Sequence, residues 1–550
     1  MRLLSLVVFG MASAYCGGPD AKISKDLNSE PKNSKVDVII QYTSQPTKSN
    51  FEDVEHQGGK RKADFQMIRA ASFTVPVQAL KGLAQNPNVR YISADRKSSG
   101  FLNVVGPTVN APAAWQAGYD GTGIGVAIID SGLSQIADLQ TGSGTGSRIV
   151  YSEAFGGLTS TADEFGHGSH VAGILASSAK MSHGFYKGIA PNVNIINLRV
   201  LDAHGASTDT AVVSAIQRAI ALKSTYNIRV INLSVGRPVF ESYTLDPLCQ
   251  AVEAAWQAGI TVVVAAGNSG RDNFAGTNGY GTIASPGNDP FVITVGAMKT
   301  MGTPGRSDDL VASYSSKGPT MFDHLAKPDL VAPGNSVAST LPKTTALYGS
   351  FPGNEVLIGT YAGNSSADSN IYYKLSGTSM AAPVVSGAVA LLLQKNPSLT
   401  PDQVKARLMK TASKSFPTLS TATDPVTGQT FVSQYDIFTI GAGYLDIAAA
   451  MSDTNLANGA AKSPAVTYDS ASGNVYLVSD SSALWGSSAL WGSGAVWGNS
   501  ALWGNSALWG SSALWGTSAS SGFSALWGTS ALWGTTSSAS ALSAALAGEN

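Results

Sequence analysis

The chain has 550 residues, with 35 basic and 36 acidic side chains and a formal net charge of −1. A chain so close to neutral is not a binder of nucleic acid or anionic membrane that works through bulk charge. Its 43% of hydrophobic residues, 13% of charged residues and 59 glycines exclude a highly charged disordered chain and a heptad coiled coil. The two cysteines, Cys16 and Cys249, are too few for a disulfide scaffold.

The first residues have the pattern of a secretory signal peptide. Arg2 is followed by an apolar run over residues 3–11 and by three small residues at 12–14. This order is typical of a cleaved signal, and no apolar run in the chain reaches the length of about 18 residues that a transmembrane helix needs. We expect residues 1–14 to be a signal peptide and the product to be secreted. A buried N-terminal strand is the alternative.

Residues 20–100 are predicted to form a small α+β unit. Apolar β-type runs at 36–40, 72–75 and 89–92 predict three strands, and residues 76–84 predict a short helix between the last two. A unit of this size is marginally stable alone, so we expect it to dock on another part of the chain.

Residues 101–452 alternate apolar β-type runs with amphipathic helical stretches. Such alternation predicts a three-layer α/β fold in which a mainly parallel sheet lies between helices. The predicted strands include 125–129, 193–198, 229–233, 261–265 and 291–295, and the predicted helices include 210–223 and 248–258. Residues 453–480 are predicted to be a linker.

Residues 481–536 repeat a hexad, Ala-Leu-Trp-Gly-x-Ser, and residues 537–550 form a C-terminal tail. Because six is even, an extended strand would place every repeat tryptophan on one face, whereas a helix would scatter them. The recurring Gly and Ser also disfavour helix. We expect a β-like stacked ribbon, with a disordered low-complexity tail as the alternative. The repeat tryptophans are at positions 485, 491, 497, 503, 509, 515, 527 and 533.

Three segments carry candidate catalytic residues. In the first, the apolar run 124–129 ends in Asp130, followed by Ser131 and Gly132. Functional residues collect at the carboxyl ends of strands in α/β sheets, although a capping or turn-forming Asp is the common alternative. Glycines 121, 123 and 125 precede the strand instead of following it, so they do not form a dinucleotide-binding loop.

The second segment contains His167 and His170, and the third contains Ser379. The two histidines could be structural or could bind metal, but no Glu or Cys accompanies them at zinc spacing. Ser379 precedes the apolar run 384–393, with Pro383 suited to a first helical turn. A serine there would lie where the helix dipole favours developing negative charge, and a simple helix cap is the alternative.

Together, Asp130, His167 and Ser379, in this order and with these flanking residues, closely resemble the subtilisin-like serine proteases. The resemblance covers about residues 105–450, and residues 36–96 resemble the inhibitory propeptide of that family. The departures are mild: Ser169, Val235 and Lys317 replace the usual Thr, Leu and Arg. Further matching segments are 188–191 (GIAP), 232–236 (NLSVG), 264–268 (VAAGN), 315–319 (SSKGP) and 327–334 (KPDLVAPG).

The resemblance implies a role for each matched residue. Ser379 is the nucleophile, His167 the general base and acid, and Asp130 the group that orients the histidine. Asn268 belongs to the oxyanion hole. Substrate-binding positions are Ser234, Val235, Gly236, Ala265, Ala266 and Gly267.

We therefore expect a secreted serine endopeptidase, made as a self-processing precursor, that acts on proteins or peptides. Its own propeptide is the expected intramolecular inhibitor, nucleic acid is not an expected partner, and the chemistry needs no cofactor. The family often binds structural calcium, and Asp138, one residue short of the spacing in some calcium-binding members, leaves its ligands unassigned. The alternative is a catalytically weak surface-binding protein whose tryptophan tail contacts a cell surface or polysaccharide.

Overall fold

The computed structural model describes residues 22–24, 27, 31, 33–95, 104–141, 146–273, 276–362, 368–424, 427–469, 474–477 and 549. The predicted signal peptide and tryptophan repeats lie outside these residues, so surface binding through the tail stays a prediction. The chain divides into two compact units, Met1–Ser99 and Gly100–Asn550. Among the described helices, none combines the length and the apolar character that crossing a membrane requires.

The first unit is a four-stranded antiparallel sheet, in the order β2-β3-β1-β4, with two helices. Its core comes from alternate residues of β1, such as Val38 and Ile40, which pack with Phe73. The three predicted strands lie within β1, β3 and β4. The sequence did not predict α1 or β2, because β2 is exposed at almost every position and carries mostly charged side chains. The elements are β1 (Lys35–Tyr42), α1 (Lys48–His56), β2 (Lys60–Phe65), β3 (Ala70–Pro76), α2 (Leu80–Gln85) and β4 (Val89–Ala94).

The second unit alternates strands and helices along most of its length. Its elements are α3 (Val105–Thr108), α4 (Ala111–Gln116), β5 (Gly125–Asp130), β6 (Ile149–Ala154), α5 (His167–Ala176), β7 (Asn194–Arg199), α6 (Asp209–Ala221), α7 (Lys223–Tyr226), β8 (Ile228–Leu233), α8 (Pro247–Gln257), β9 (Thr261–Ala265), β10 (Ile293–Lys299), β11 (Leu310–Val311), β12 (Leu330–Pro333), β13 (Val337–Thr340), α9 (Ala346–Ser350), β14 (Glu355–Leu357), α10 (Gly359–Ala362), β15 (Asp368–Leu375), α11 (Thr378–Lys395), α12 (Pro401–Thr411), β16 (Leu419–Thr423), β17 (Thr430–Gln434), α13 (Ile437–Ile440), α14 (Ile447–Ser452), β18 (Val466–Asp469) and β19 (Asn474–Leu477).

The central sheet has the order β11-β10-β9-β8-β5-β7-β6, with β12 also paired to β10. Every pairing in it is parallel except that of β10 with β11. Strands β5, β9 and β10 are buried at every position, as expected for a sheet covered on both faces. Helices α5 and α11 pack together, as do α6 and α8. The predicted α/β fold with a mainly parallel sheet between helices is confirmed.

Candidate active site

The three candidate catalytic residues each lie at the end of a regular element. Asp130 is the last residue of β5, His167 is the first residue of α5, and Ser379 is the second residue of α11. The carboxyl ends of neighbouring parallel strands share one edge of the sheet, so residues far apart in sequence meet there. His167 and Ser379 both line one open cleft of about 860 Å³.

Asp130 and His167 form a direct pair. The Nδ1 atom of His167 lies 2.8 Å from Oδ1 of Asp130, which also accepts a 2.7 Å hydrogen bond from the backbone N–H of Ser131. The Asp130 side chain is only 1% exposed. Burial acts to lower the pKa of His167, but the Asp130 and Asp163 carboxylates outweigh it and raise that pKa. The pair therefore holds the imidazole in place and favours its protonated form.

A second buried carboxylate, Asp163, supports the start of α5. Its Oδ1 accepts hydrogen bonds from the Ser131 hydroxyl (2.8 Å) and the Gly166 N–H (2.6 Å), and its Oδ2 accepts one from the Ser169 N–H (2.7 Å). These bonds satisfy N–H groups at the first turn of the helix that begins with His167. The sequence analysis missed Asp163. Its position four residues before His167, where a carboxylate suits a helix N-terminus, was the available signal.

Ser379 is tied to the end of β8. Its hydroxyl donates to the carbonyl oxygen of Ser234 at 3.2 Å, and the hydroxyl of Ser234 donates to the carbonyl oxygen of Ser379 at 3.0 Å. No hydrogen bond joins Ser379 to His167 among the described residues. Catalytic hydrogen bonds are often long in free enzymes and tighten when substrate binds, so this geometry is compatible with a Ser379–His167 contact in the substrate complex.

The amide of Asn268 has a defined orientation. Its Oδ1 accepts hydrogen bonds from the backbone N–H of Thr378 at 2.8 Å and from the Thr378 hydroxyl at 3.1 Å. Because a backbone N–H only donates, the amide oxygen must face it, and the NH₂ group is left to donate elsewhere. The Thr378 hydroxyl also accepts from the N–H of Gly267 at 3.1 Å. Asn268 is thus held beside Ser379 with its donor group available.

The cleft brings together eight of the ten predicted site residues. They are His167, Ser234, Val235, Gly236, Ala265, Gly267, Asn268 and Ser379. Asp130 lies buried behind His167. Ala266 is fully buried and does not line the cleft. The cleft also has apolar walls that the sequence analysis did not name, including Val239, Phe240, Ile283 and Met321.

His170, unlike His167, does not take part in the candidate catalytic site. It is fully buried, and its Nε2 lies 2.9 Å from the carbonyl oxygen of Tyr373. Burial lowers the pKa of His170 to about 3, so this ring is neutral and structural. The described residues contain no group of three or more His, Cys, Asp or Glu side chains that could hold a metal ion.

Asp138, the residue considered for calcium, is surrounded by hydrogen-bond donors. Its carboxylate accepts from the N–H of Met181 at 2.7 Å, from the Ser177 hydroxyl at 2.9 Å and from the Tyr372 hydroxyl. Calcium needs six to eight oxygen ligands, whereas donors surround this carboxylate. The residues around Asp138 do not fit calcium, and calcium elsewhere in the chain stays a prediction.

Comparison with known proteins gives the family of the chain. The profile of the subtilase family matches residues 121–435. The serine protease AprX of Bacillus subtilis (strain 168) is 34% identical over 387 residues, which cover 68% of this chain and 82% of the relative. Subtilisin E of the same organism is 33% identical over 363 residues, covering 65% of this chain and 79% of the relative. The alkaline protease of Shouchella clausii is 32% identical over 352 residues, covering 64% and 75%.

The matched region contains the cleft, the Asp130–His167 pair and Ser379 at the start of α11. Its extent exceeds half of the chain, and the relatives are covered over most of their own length. The chain belongs to the subtilase family of serine endopeptidases.

Proposed function

We propose that this protein is a secreted serine endopeptidase that cleaves proteins through Asp130, His167 and Ser379. The observation that carries the proposal is the 2.8 Å contact between Asp130 and His167, beside a cleft into which His167, Ser379 and Asn268 all open. The relatives named above support the same class of reaction.

The first half of the reaction forms an acyl-enzyme. His167 Nε2 takes the proton of the Ser379 hydroxyl as the serine oxygen attacks the peptide carbonyl carbon. Asp130 keeps the other ring nitrogen protonated and stabilises the imidazolium that forms. Collapse of the tetrahedral intermediate breaks the C–N bond, and the proton on His167 passes to the leaving amine.

In the second half, His167 removes a proton from water as the water oxygen attacks the acyl carbon. Collapse of the second tetrahedral intermediate breaks the ester bond, and His167 returns the proton to the Ser379 oxygen. Both tetrahedral intermediates carry an oxyanion. The Asn268 NH₂ group and the Ser379 backbone N–H at the start of α11 donate to it, and the helix dipole adds favourable potential.

Substrate binding involves the segment that follows β8. Ser234, Val235 and Gly236 continue that strand at the cleft, and an extended substrate would pair with their backbone groups. The small residues Ala265 and Gly267 leave room between the walls. Ile283 and Met321 add apolar surface to the same cleft. We infer a preference for a medium or large apolar side chain before the cleaved bond.

The first unit is the proposed inhibitory propeptide. It has its own small core, with Phe73 and Leu83 fully buried. A sheet built from distant segments folds slowly, and a docked module would lower that barrier. Self-cleavage between about residues 96 and 110 would then release the mature enzyme.

Hydrolysis of casein by purified wild type and Ser379→Ala tests the proposal, with mass spectrometry of each purified protein. Loss of the nucleophile lowers kcat by about 10⁶-fold, and we expect N-terminal trimming in wild type alone. The matched control is Ser224→Ala, which alters an exposed serine on α7. Equal hydrolysis by Ser379→Ala, or trimming of that variant at the same site without added protease, would refute the assignment.

A further inference from the structure

Glu549 occupies a second buried polar site on the peptidase unit, outside the catalytic cleft. Its side chain is only 3% exposed. We name the surrounding residues the carboxylate pocket. They are Arg271, after β9, Lys299, at the end of β10, Ser313, after β11, and Asn335, after β12.

The pocket recognises the charge of the glutamate. Arg271 Nη2 lies 2.6 Å from Oε1, and Lys299 Nζ lies 3.3 Å from Oε2. The Ser313 backbone N–H lies 3.1 Å from both carboxylate oxygens, and its hydroxyl donates to Oε1. Burial acts to raise the pKa of Glu549, but these donors outweigh it and hold that pKa below its ordinary value. The carboxylate is therefore bound as an anion.

The pocket also recognises the backbone of the residue. Asn335 Nδ2 donates to the carbonyl oxygen of Glu549 at 2.8 Å, and the Glu549 N–H donates to Oδ1 of Asn335 at 2.9 Å. A side-chain amide that pairs both ways with one residue binds a peptide in a defined direction. A free carboxylate or phosphate would satisfy only half of the site.

The pocket groups are held by the rest of the unit. Arg271 donates from Nε to the Ser313 hydroxyl at 2.7 Å and from Nη1 to Asp424 at 2.8 Å, and its guanidinium lies 4.8 Å from the Phe431 ring centroid. Lys299 is only 3% exposed. A buried ammonium group is stabilised by a nearby anion, and the Glu549 carboxylate places one 3.3 Å from Lys299.

We propose that the carboxylate pocket is a binding site for a glutamate-bearing peptide segment, and that Glu549 of the same chain occupies it. The chain between Leu477 and Glu549, which contains all the tryptophan repeats, is then attached to the peptidase unit at both ends. This inference is independent of the proposed proteolysis, since it needs binding alone.

The first test uses a fluorescent octapeptide with the sequence of residues 543–550, added to full-length S379A/E549A protein. The S379A change prevents digestion, and the E549A change empties the pocket of its carboxylate. We expect saturable binding by fluorescence anisotropy, with affinity at least about tenfold lower for a peptide carrying Gln in place of Glu. Full-length S379A protein, whose pocket is occupied, is expected to bind the peptide at least about tenfold more weakly, by competition with the linked segment.

The second test is a double-mutant cycle in the S379A background, with Glu549→Gln and Lys299→Met measured by denaturant unfolding. We expect Glu549→Gln to raise the unfolding equilibrium constant about tenfold or more. We expect the double variant to lose less stability than the sum of the losses in the two single variants. Glu153→Gln, which alters a surface pair with Arg218, is the matched control, and we expect little change in it.

Equal affinity for the Glu and Gln peptides would overturn the proposal. Additive effects in the cycle, with Glu549→Gln no more destabilising than Glu153→Gln, would also overturn it. A protein that is dimeric in wild type and monomeric in E549A would show that the pocket binds a second copy, which overturns attachment within one chain.

Discussion

The side chain of Thr378 offers a graded test of how the oxyanion donor is held. Its hydroxyl contacts Oδ1 of Asn268 at 3.1 Å and accepts from the N–H of Gly267, while its backbone N–H contacts the same Oδ1 at 2.8 Å. Thr378→Val removes the hydroxyl and keeps the shape and the backbone bond. Asn268→Ala removes the oxyanion donor itself.

The kcat values of the two variants are expected to differ by about one to nearly three orders of magnitude. Loss of an oxyanion donor lowers kcat by about 10²–10³-fold. Loss of one neutral hydrogen bond, worth about 0.5–1.5 kcal/mol, corresponds to a change of roughly 2–12-fold in rate. We therefore expect kcat of Thr378→Val to fall by that factor, with KM nearly unchanged. The Gly267 N–H loses its acceptor, so the free energy of unfolding is expected to fall by about 1–3 kcal/mol.

The assay compares kcat and KM on a chromogenic peptide, with urea unfolding measured in the S379A background to prevent self-digestion. Thr411→Val on α12 is the matched control, because its hydroxyl bonds only to the carbonyl of Arg407, one turn earlier in that helix. A fall of 100-fold or more in Thr378→Val would refute the reasoning, since the backbone N–H would then be unable to orient the amide alone.

Three further predictions follow from buried contacts. Asp130→Asn is expected to lower kcat by about 10⁴-fold, and a pH profile of kcat/KM is expected to show the acidic limb at lower pH, because Asp130 no longer raises the His167 pKa. Lys405→Met is expected to lower the unfolding free energy by about 1–3 kcal/mol in urea titration, because the buried carbonyl oxygens of Pro290 and Val292 lose the Lys405 donor while Lys327 still pairs with Asp329. Burial lowers the Lys405 pKa from 10.5 to about 7. Between pH 7 and pH 10.5 the unfolded chain therefore holds a proton on Lys405 that the folded chain does not. We expect the unfolding free energy of wild type to rise with pH in this range, and that of the variant to lack this rise. Tyr372→Phe is expected to lower the unfolding free energy by about 1.5–3 kcal/mol, because its hydroxyl donates to the buried Asp138 carboxylate. The matched control is Tyr348→Phe, which removes a tyrosine hydroxyl that contacts Glu355. Comparing the urea unfolding of the two variants separates the loss of the Asp138 hydrogen bond from the general effect of removing a tyrosine hydroxyl.

The alternation of apolar runs and amphipathic stretches was enough to predict the α/β fold and its parallel sheet, because strands buried on both faces have a continuous apolar signature. In the first unit, the same method found β1, β3 and β4 but not β2. That strand, KRKADF, pairs through its backbone while its side chains stay in solvent, so it lacks the hydrophobic alternation on which the prediction depends.

The sequence by itself determined the family, the candidate triad and the candidate oxyanion residue, because short motifs kept the residue types that the chemistry needs. Only the tertiary structure decided how they are supported. Asp163 accepts a hydrogen bond from Ser131, 32 positions away in the chain, and no local pattern encodes that contact. The carboxylate pocket joins Lys299 to Glu549 across 250 positions, and Asp138 is satisfied by Tyr372 across 234. Such partners depend on which loops meet at the end of the sheet, and that is set by the packing of the whole domain.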